Sequence, residues 1–217
     1  MRRSRLALLG FLACSACAGP RSGSIDLSGP ETAGERIAER AGSYVGHEGA
    51  FEVDGERFPA DCSGFVEAVY AREGVPLRRL MQHAAPRESS GAAAAHRAAS
   101  QYGVVFGGGG EWPRPGDLVF FHDTYDRDRD GRQDDRFTHV GIVLYVSEGT
   151  VVFVHRGSQA VVVGAMTPGR PHETAEGGRL LNSHMRQKRK AKPGANLLAG
   201  ELFAGYGRVG AGSAGGP

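Results

Sequence analysis

Residues 138–156, THVGIVLYVSEGTVVFVHR, set the tightest limit on how this chain can fold. Two runs rich in Val, Ile and aromatic residues flank the turn cluster Ser147-Glu148-Gly149. β-Branched side chains suit a pleated, partly buried surface, and so short a connection joins antiparallel neighbours. Strands are therefore expected over 138–146 and 150–156, with 160–164 continuing the sheet. The tight turn Trp112-Pro113-Arg114-Pro115-Gly116-Asp117 predicts a further strand over 118–122, and FAGYGRV at 203–209 reads as a closing edge strand.

Upstream the pattern is helical. Thr32 and Glu35 have capping-box spacing and Pro30 suits the entry, which predicts a helix as far as Gly42 or Tyr44 with Ile37, Ala38 and Ala41 inward. Residues 46–60 read as a loop or small hairpin about Asp54-Gly55. Phe65, Val66, Val69 and Tyr70 recur at helical spacing, so a second helix starts at or just after Asp61 and stops at Gly74-Val75-Pro76. Another is expected over 92–102. Helices first, then a mostly antiparallel sheet, is an α+β arrangement. The 217 residues suit one domain, and 34 Gly with 11 Pro imply long loops.

The chain begins MRRSRLALLGFLACSACAGP. Arg2, Arg3 and Arg5 precede a short apolar run and then small residues and cysteines, the layout of an export signal over 1–18. Ala13-Cys14 and Ala16-Cys17 resemble lipoprotein processing junctions; Cys14 is the expected lipidation site, and plain cleavage after Ala18 is the alternative. A linker is expected over 19–29, then one catalytic domain over 30–210. The expected location is the periplasmic side of the envelope, the partner there the envelope membrane through a lipid anchor, and the protein a monomer. Without the three leader arginines, 23 basic residues face 24 acidic ones, so nothing in the charge points to nucleic acid. The basic run 186–192 reads as a solvated loop.

Export gives Cys62 its meaning. It is the only cysteine after residue 17, so it has no disulfide partner in the mature chain. It falls in the first turn of the second helix, where unpaired amides and the helix dipole favour a thiolate and could hold an oxyanion. His139 and His155 lie eight residues either side of Ser147. A regular hairpin centred there would set them opposite each other on one face; a bulge at Gly149 could shift that register, an even slip keeping the shared face and an odd one losing it. Two facing imidazoles divide the labour: His139 as base toward Cys62, His155 as the residue that orients it. The same residues have other readings. A lone cysteine is often inert core, strand histidines are often structural, and Cys62, His139 and His155 could bind zinc with His122 or Asp117.

Four segments in order, Asp61-Cys62-Ser63-Gly64-Phe65-Val66, 115–121, Thr138-His139-Val140-Gly141-Ile142-Val143 and Phe153-Val154-His155, resemble the motifs of the NlpC/P60 family of papain-like cysteine peptidases. The likeness covers about 35–165. It implies a papain-like fold and a Cys62–His139–His155 thiolate mechanism with no catalytic cofactor. It also implies peptidoglycan stem peptides as substrate, cut between γ-D-glutamyl and a diamino acid. Tyr44 resembles a tyrosine lining the family's cleft, and Ser63 is a second expected substrate contact. The related CHAP amidases share the Cys–His pair, but a third histidine on this strand favours NlpC/P60. A non-catalytic envelope protein of the same fold, binding wall peptide or calcium, is the alternative of another class.

An acidic insert, DTYDRDRDGRQDDR at 123–136, precedes His139. Asp126, Asp128, Asp130 and Gly131 repeat the first half of a calcium loop, with Asp134 at the water-mediated position. Phe137 stands where the bidentate Glu would fall, and Asp135 could substitute from a shifted geometry. A calcium ion held there would be structural. Residues 166–200 match no pattern.

Overall fold

The computed structural model describes residues 32–88, 90–107, 109–186 and 194–210. The leader, Cys14, the linker and most of the basic run lie outside the described residues. No described helix is long and apolar enough to cross a membrane.

Helix α1, Ala33–Ser43, has the expected reciprocal cap: the Glu35 amide donates to Thr32 Oγ1 and the Thr32 amide to Glu35 Oε2. A small hairpin follows, β1 Phe51–Val53 and β2 Glu56–Phe58, turning at Asp54-Gly55 with φ of 50° and 81°. Helix α2, Cys62–Arg72, is buried continuously from Gly64 to Tyr70, so it is the central helix rather than an amphipathic cover. Next come α3, Leu77–Ala84, which the sequence reading did not resolve, α4, Gly91–Tyr102, and β3, Gly103–Phe106.

The remaining strands are β4 Leu118–Phe121, β5 His139–Ser147, β6 Thr150–Arg156, β7 Val161–Met166 and β10 Phe203–Val209. With β3 they make a six-stranded sheet in the order β3-β10-β4-β5-β6-β7, every pair antiparallel. The expected edge position of 203–209 is corrected: β10 is bonded on both sides, because β3, unforeseen in the sequence, covers its outer edge. In the segment that matched no pattern lie the two-residue strands β8, Ala175–Glu176, and β9, Arg179–Leu180, and the short helix α5, Ala199–Leu202.

The sheet is covered on both faces. Leu118, Phe120, Val140, Ile142 and Val154 face α1, α2 and α4. Val119, Phe121, Val143, Val151, Phe153 and Met166 face Ala199 and Leu202 of α5. Alternate side chains of one strand feed different cores, which is why LVFF in β4 is buried at every position.

Asp117 fixes the entry to β4. It is 3% exposed and holds the Arg208 guanidinium of β10 side-on, Nε to Oδ1 at 2.9 Å and Nη2 to Oδ2 at 2.8 Å, while the Arg114 amide donates to Oδ2. Asp117→Asn should leave that guanidinium with the more exposed Glu111 carboxylate, 3.1 Å from Nη1, as its one charge partner. With Arg208 partly solvated, the expected loss is about 2 kcal/mol, or a melting temperature lower by roughly 4–8 °C. Thermal unfolding checks this.

Candidate active site

Cys62 is positioned by the cap of its own helix. Asp61 is the N-cap, and its Oδ1 accepts from the Gly64 amide and the Ser63 hydroxyl, each at 2.8 Å. Gly64 is required by close approach: a Cβ there would lie 2.1 Å from the Pro59 carbonyl oxygen. The α2 terminus lies against the start of β5, where the Val140 backbone reaches the Cys62 sulfur. Hydrogen bonds from the backbone of Val140, Ser63 and Cys62 reach the sulfur and favour its charged form. Burial outweighs them and pushes the Cys62 thiol up to about 11.

The two histidines meet by a route the sequence reading did not foresee. Ser147 pairs with Thr150, so the turn is Glu148-Gly149 alone, with φ of 48° and 74°. Continued regularly, this register would set His155 against Ile142, and the imidazoles would point to opposite faces. Instead Leu144 is an extra residue between Val143 and Tyr145, and beyond it Ile142 pairs with Val154. His155 then falls beside Gly141, diagonal to His139 on the same face. The expectation of direct opposition is thus corrected: the net slip is even, and the irregularity sits at Leu144 rather than at Gly149. Gly141 leaves room for the reach, since a Cβ there would lie 3.2 Å from His155 Cβ and 2.8 Å from the Val154 carbonyl oxygen. His139 Nε2 and His155 Nδ1 share a hydrogen bond of 2.9 Å. Burial holds both below the usual histidine range, His139 well below it with His155 adding to the effect, and His155 at about 4 against an opposing hydrogen bond to the Arg156 backbone.

Cys62, Ser63, His139 and His155 line one cleft of about 730 Å3. Ser63 is packed against Gly91 at the start of α4, where a Cβ would meet its Oγ at 2.2 Å. Tyr44 is not among the lining residues; it packs edge-on against Phe51, Phe65 and His47. Neither proposed fourth zinc ligand joins the site. Asp117 is taken up by Arg208, and His122 Nδ1 accepts from the Phe137 amide. The sequence reading missed Ser90, Tyr125, Arg156, Met185 and Arg186, which also line the cleft. Of these, only Arg156 had a signal, its place next to His155.

The acidic insert is pinned beside His139. Thr138, which precedes His139, accepts at Oγ1 from the Thr124 amide and shares a hydroxyl hydrogen bond with Thr124, both at 2.9 Å. The ligand set differs from the expected one: Asp126, Asp128 and Asp135 bring carboxylate oxygens within 4.8 Å of one another and could hold a metal. Asp130 is turned back to the Arg132 amide, and Asp134 is exposed.

Burial of neutral imidazoles makes stability fall in acid. Each depressed histidine contributes stability that is full above the unfolded value near 6.5 and is lost as pH falls toward the folded one. For His155 the window is from about 6.5 to about 4, with a loss on the order of 3 kcal/mol. His155→Gln should flatten the acid limb of melting temperature against pH over that window; an unchanged slope would contradict the assignment.

The NlpC/P60 family model matches residues 48–176, which hold Cys62, His139 and His155. No curated protein matches the chain. Among solved structures it is similar to NlpC2 from Trichomonas vaginalis, with 18% identity, a TM-score of 0.42, and cover of 84% of this chain and 48% of that one. It is also similar to an NlpC/P60 family protein from Bacillus cereus ATCC 10987, with 21% identity, a TM-score of 0.42, and cover of 82% and 41%. The chain thus spans less than half the length of either. The family model covers more than half of the present sequence, and on that match the chain belongs to the NlpC/P60 family of papain-like cysteine peptidases.

Proposed function

We propose that this chain hydrolyses an amide bond in peptidoglycan stem peptides, with Cys62 as nucleophile, His139 as base and His155 as the residue that orients it. The observation that carries the reading is the 2.9 Å Nε2–Nδ1 hydrogen bond between the half-buried His139 and the buried His155 in the cleft that holds Cys62. For His139 to work as a base at Nδ1, its Nε2 must keep a proton and donate it to His155 Nδ1. The resting pair is neutral thiol and neutral imidazole, since burial raises one pKa and lowers the other.

As Cys62 Sγ attacks the carbonyl carbon, its proton passes to His139. The tetrahedral oxyanion is held by amides at the α2 terminus, Cys62 first. Collapse breaks the carbon–nitrogen bond, and His139 returns the proton to the leaving amine. Water, deprotonated by His139, then hydrolyses the thioester and frees Cys62. The family resemblance points to the bond between γ-D-glutamyl and a diamino acid. The sequence of the leader supports export and a lipid anchor at Cys14, which would hold a monomeric enzyme at the envelope.

Purified peptidoglycan digested by the wild type should release new stem-peptide fragments by mass spectrometry, and Cys62→Ala should release none. His139→Ala should remove nearly all turnover. His155→Gln should keep part of it, and His155→Ala should lose about 10²-fold or more in kcat/KM, because the base is then free to rotate. If His155→Ala abolishes activity while His139→Ala keeps it, the two roles are reversed. Absence of any new fragment from the wild type would favour the non-catalytic wall-binding alternative.

A second reading, a structural calcium in the insert, is favoured by one observation: Asp126 Oδ1 is buried and has no hydrogen-bond partner among the described residues. Asp126, Asp128 and Asp135 would hold the ion. Asp135 is also paired with Arg127, whose amide donates to it at 2.9 Å. Calcium at saturating concentration should raise the melting temperature by about 5 °C, and Asp126→Asn should remove the increase. No increase in the wild type would reduce the insert to a charged loop.

A further inference from the structure

Arg156 is the only arginine buried among the described residues, at 7% exposure. It is also without a carboxylate. The ion pairs among the described residues engage ten other arginines and leave it out. Nη1 donates to the neighbouring Gly157 carbonyl at 3.0 Å, and Nε has no partner. The residue lines the catalytic cleft with Gly157, Ser158 and Cys62. A buried guanidinium stays charged, and taking it out of water with one hydrogen bond and no counter-charge is costly. The cost is offset if the missing anion arrives with the substrate.

We propose that Arg156 is a specificity-determining residue that binds a carboxylate of the substrate next to the scissile amide. Its geometry names the ligand class. With Nη1 turned to Gly157, the Nε side of the guanidinium is the edge left without a partner, and Nε itself is buried in the cleft wall. Arg208 uses that same edge, Nε with Nη2, to hold Asp117 side-on. A carboxylate fits it with two parallel hydrogen bonds, which a carboxamide cannot match because one of its two heteroatoms is a donor. The α2 terminus, whose amides face the same cleft, adds potential of the same sign. This inference rests on the peptidase reading for the identity of the substrate, not for the existence of the subsite. A stem peptide offers the carboxylate from two sources: the α-carboxylate of the γ-linked D-glutamyl residue, or a carboxylate of the diamino acid that leaves.

The test uses the full chain and three synthetic peptides: L-Ala-γ-D-Glu-diamino acid, its D-glutamyl carboxamide, and its diamino-acid carboxamide. Wild type should prefer the free acid over one of the carboxamides by about 10–100-fold in kcat/KM, the span of a charge-assisted pair. The disfavoured carboxamide identifies the source. Arg156→Gln should collapse that ratio toward one, and Arg156→Lys should restore part of it. The melting temperature of Arg156→Gln should hold or rise, since an uncompensated buried charge is removed. A ratio that survives Arg156→Gln overturns the proposal. So does an equal loss on all three peptides with a lowered melting temperature, which marks a merely structural residue. If the wild type cleaves no peptide, the peptidase reading fails and the subsite is judged on Cys62 alone. At pH 9 the alkylation rate by iodoacetate relative to iodoacetamide should then fall in Arg156→Gln. An unchanged ratio would sink the subsite as well.

Discussion

The seating of the α2 terminus against β5 is the constraint on which the rest of the site depends. Asp61 caps the helix, and Gly64 lets the Pro59 carbonyl approach where any side chain would block it. Helix α2 is buried along most of its length, and Tyr70 near its far end donates to the Gly116 carbonyl at 2.7 Å. The helix can neither roll nor slide without breaking these contacts. Its first residue therefore meets the Val140 amide, one position along from His139. The thiol and the imidazole come from segments more than seventy residues apart, and helix-to-sheet packing alone brings them to one cleft.

That same burial decides the electrostatics. The helix dipole, the terminal amides and the Val140 amide all favour a thiolate, yet desolvation is the larger effect and keeps the thiol protonated at rest. His139 and His155 are held neutral for the same reason. A neutral pair matches a base-assisted attack, in which charge separates only as the carbonyl carbon is engaged. It also protects the thiol from oxidation, because the reactive form is scarce at rest.

Much of this was legible in the residues, because the signals were local. Thr32 with Glu35, Asp61 before Cys62, and Asp54-Gly55 each specify a cap or a turn within four positions, and each formed where expected. The longer strands announced themselves by β-branched runs. What escaped was set by distant partners. Strand β3 is Gly103–Phe106, too short and too near glycines to stand out, and its existence depends on pairing with β10 across a hundred residues. The sequence offers Asp135 only as a stand-in for the missing Glu; that it joins Asp126 and Asp128 in place of Asp130 and Asp134 follows from the loop folding back on Asp123, whose Oδ1 accepts from the Asp135 amide at 2.7 Å. Arg156 looked like the end of a strand; only the surrounding walls show that its charge is unanswered.

The extra residue at Leu144 has a consequence for how this hairpin can vary. Side chains alternate along a strand, so the shared face of His139 and His155 depends on parity rather than on distance. Removing Leu144 would leave Cys62, His139 and His155 in the sequence and turn one imidazole to the other side of the sheet. Compensation would need a second odd change elsewhere between the two histidines. A single insertion or deletion within the paired stretch would therefore turn the two imidazoles to opposite faces even where the sheet still forms. The bulge works as a counting device, written in backbone register rather than in any side chain that touches substrate.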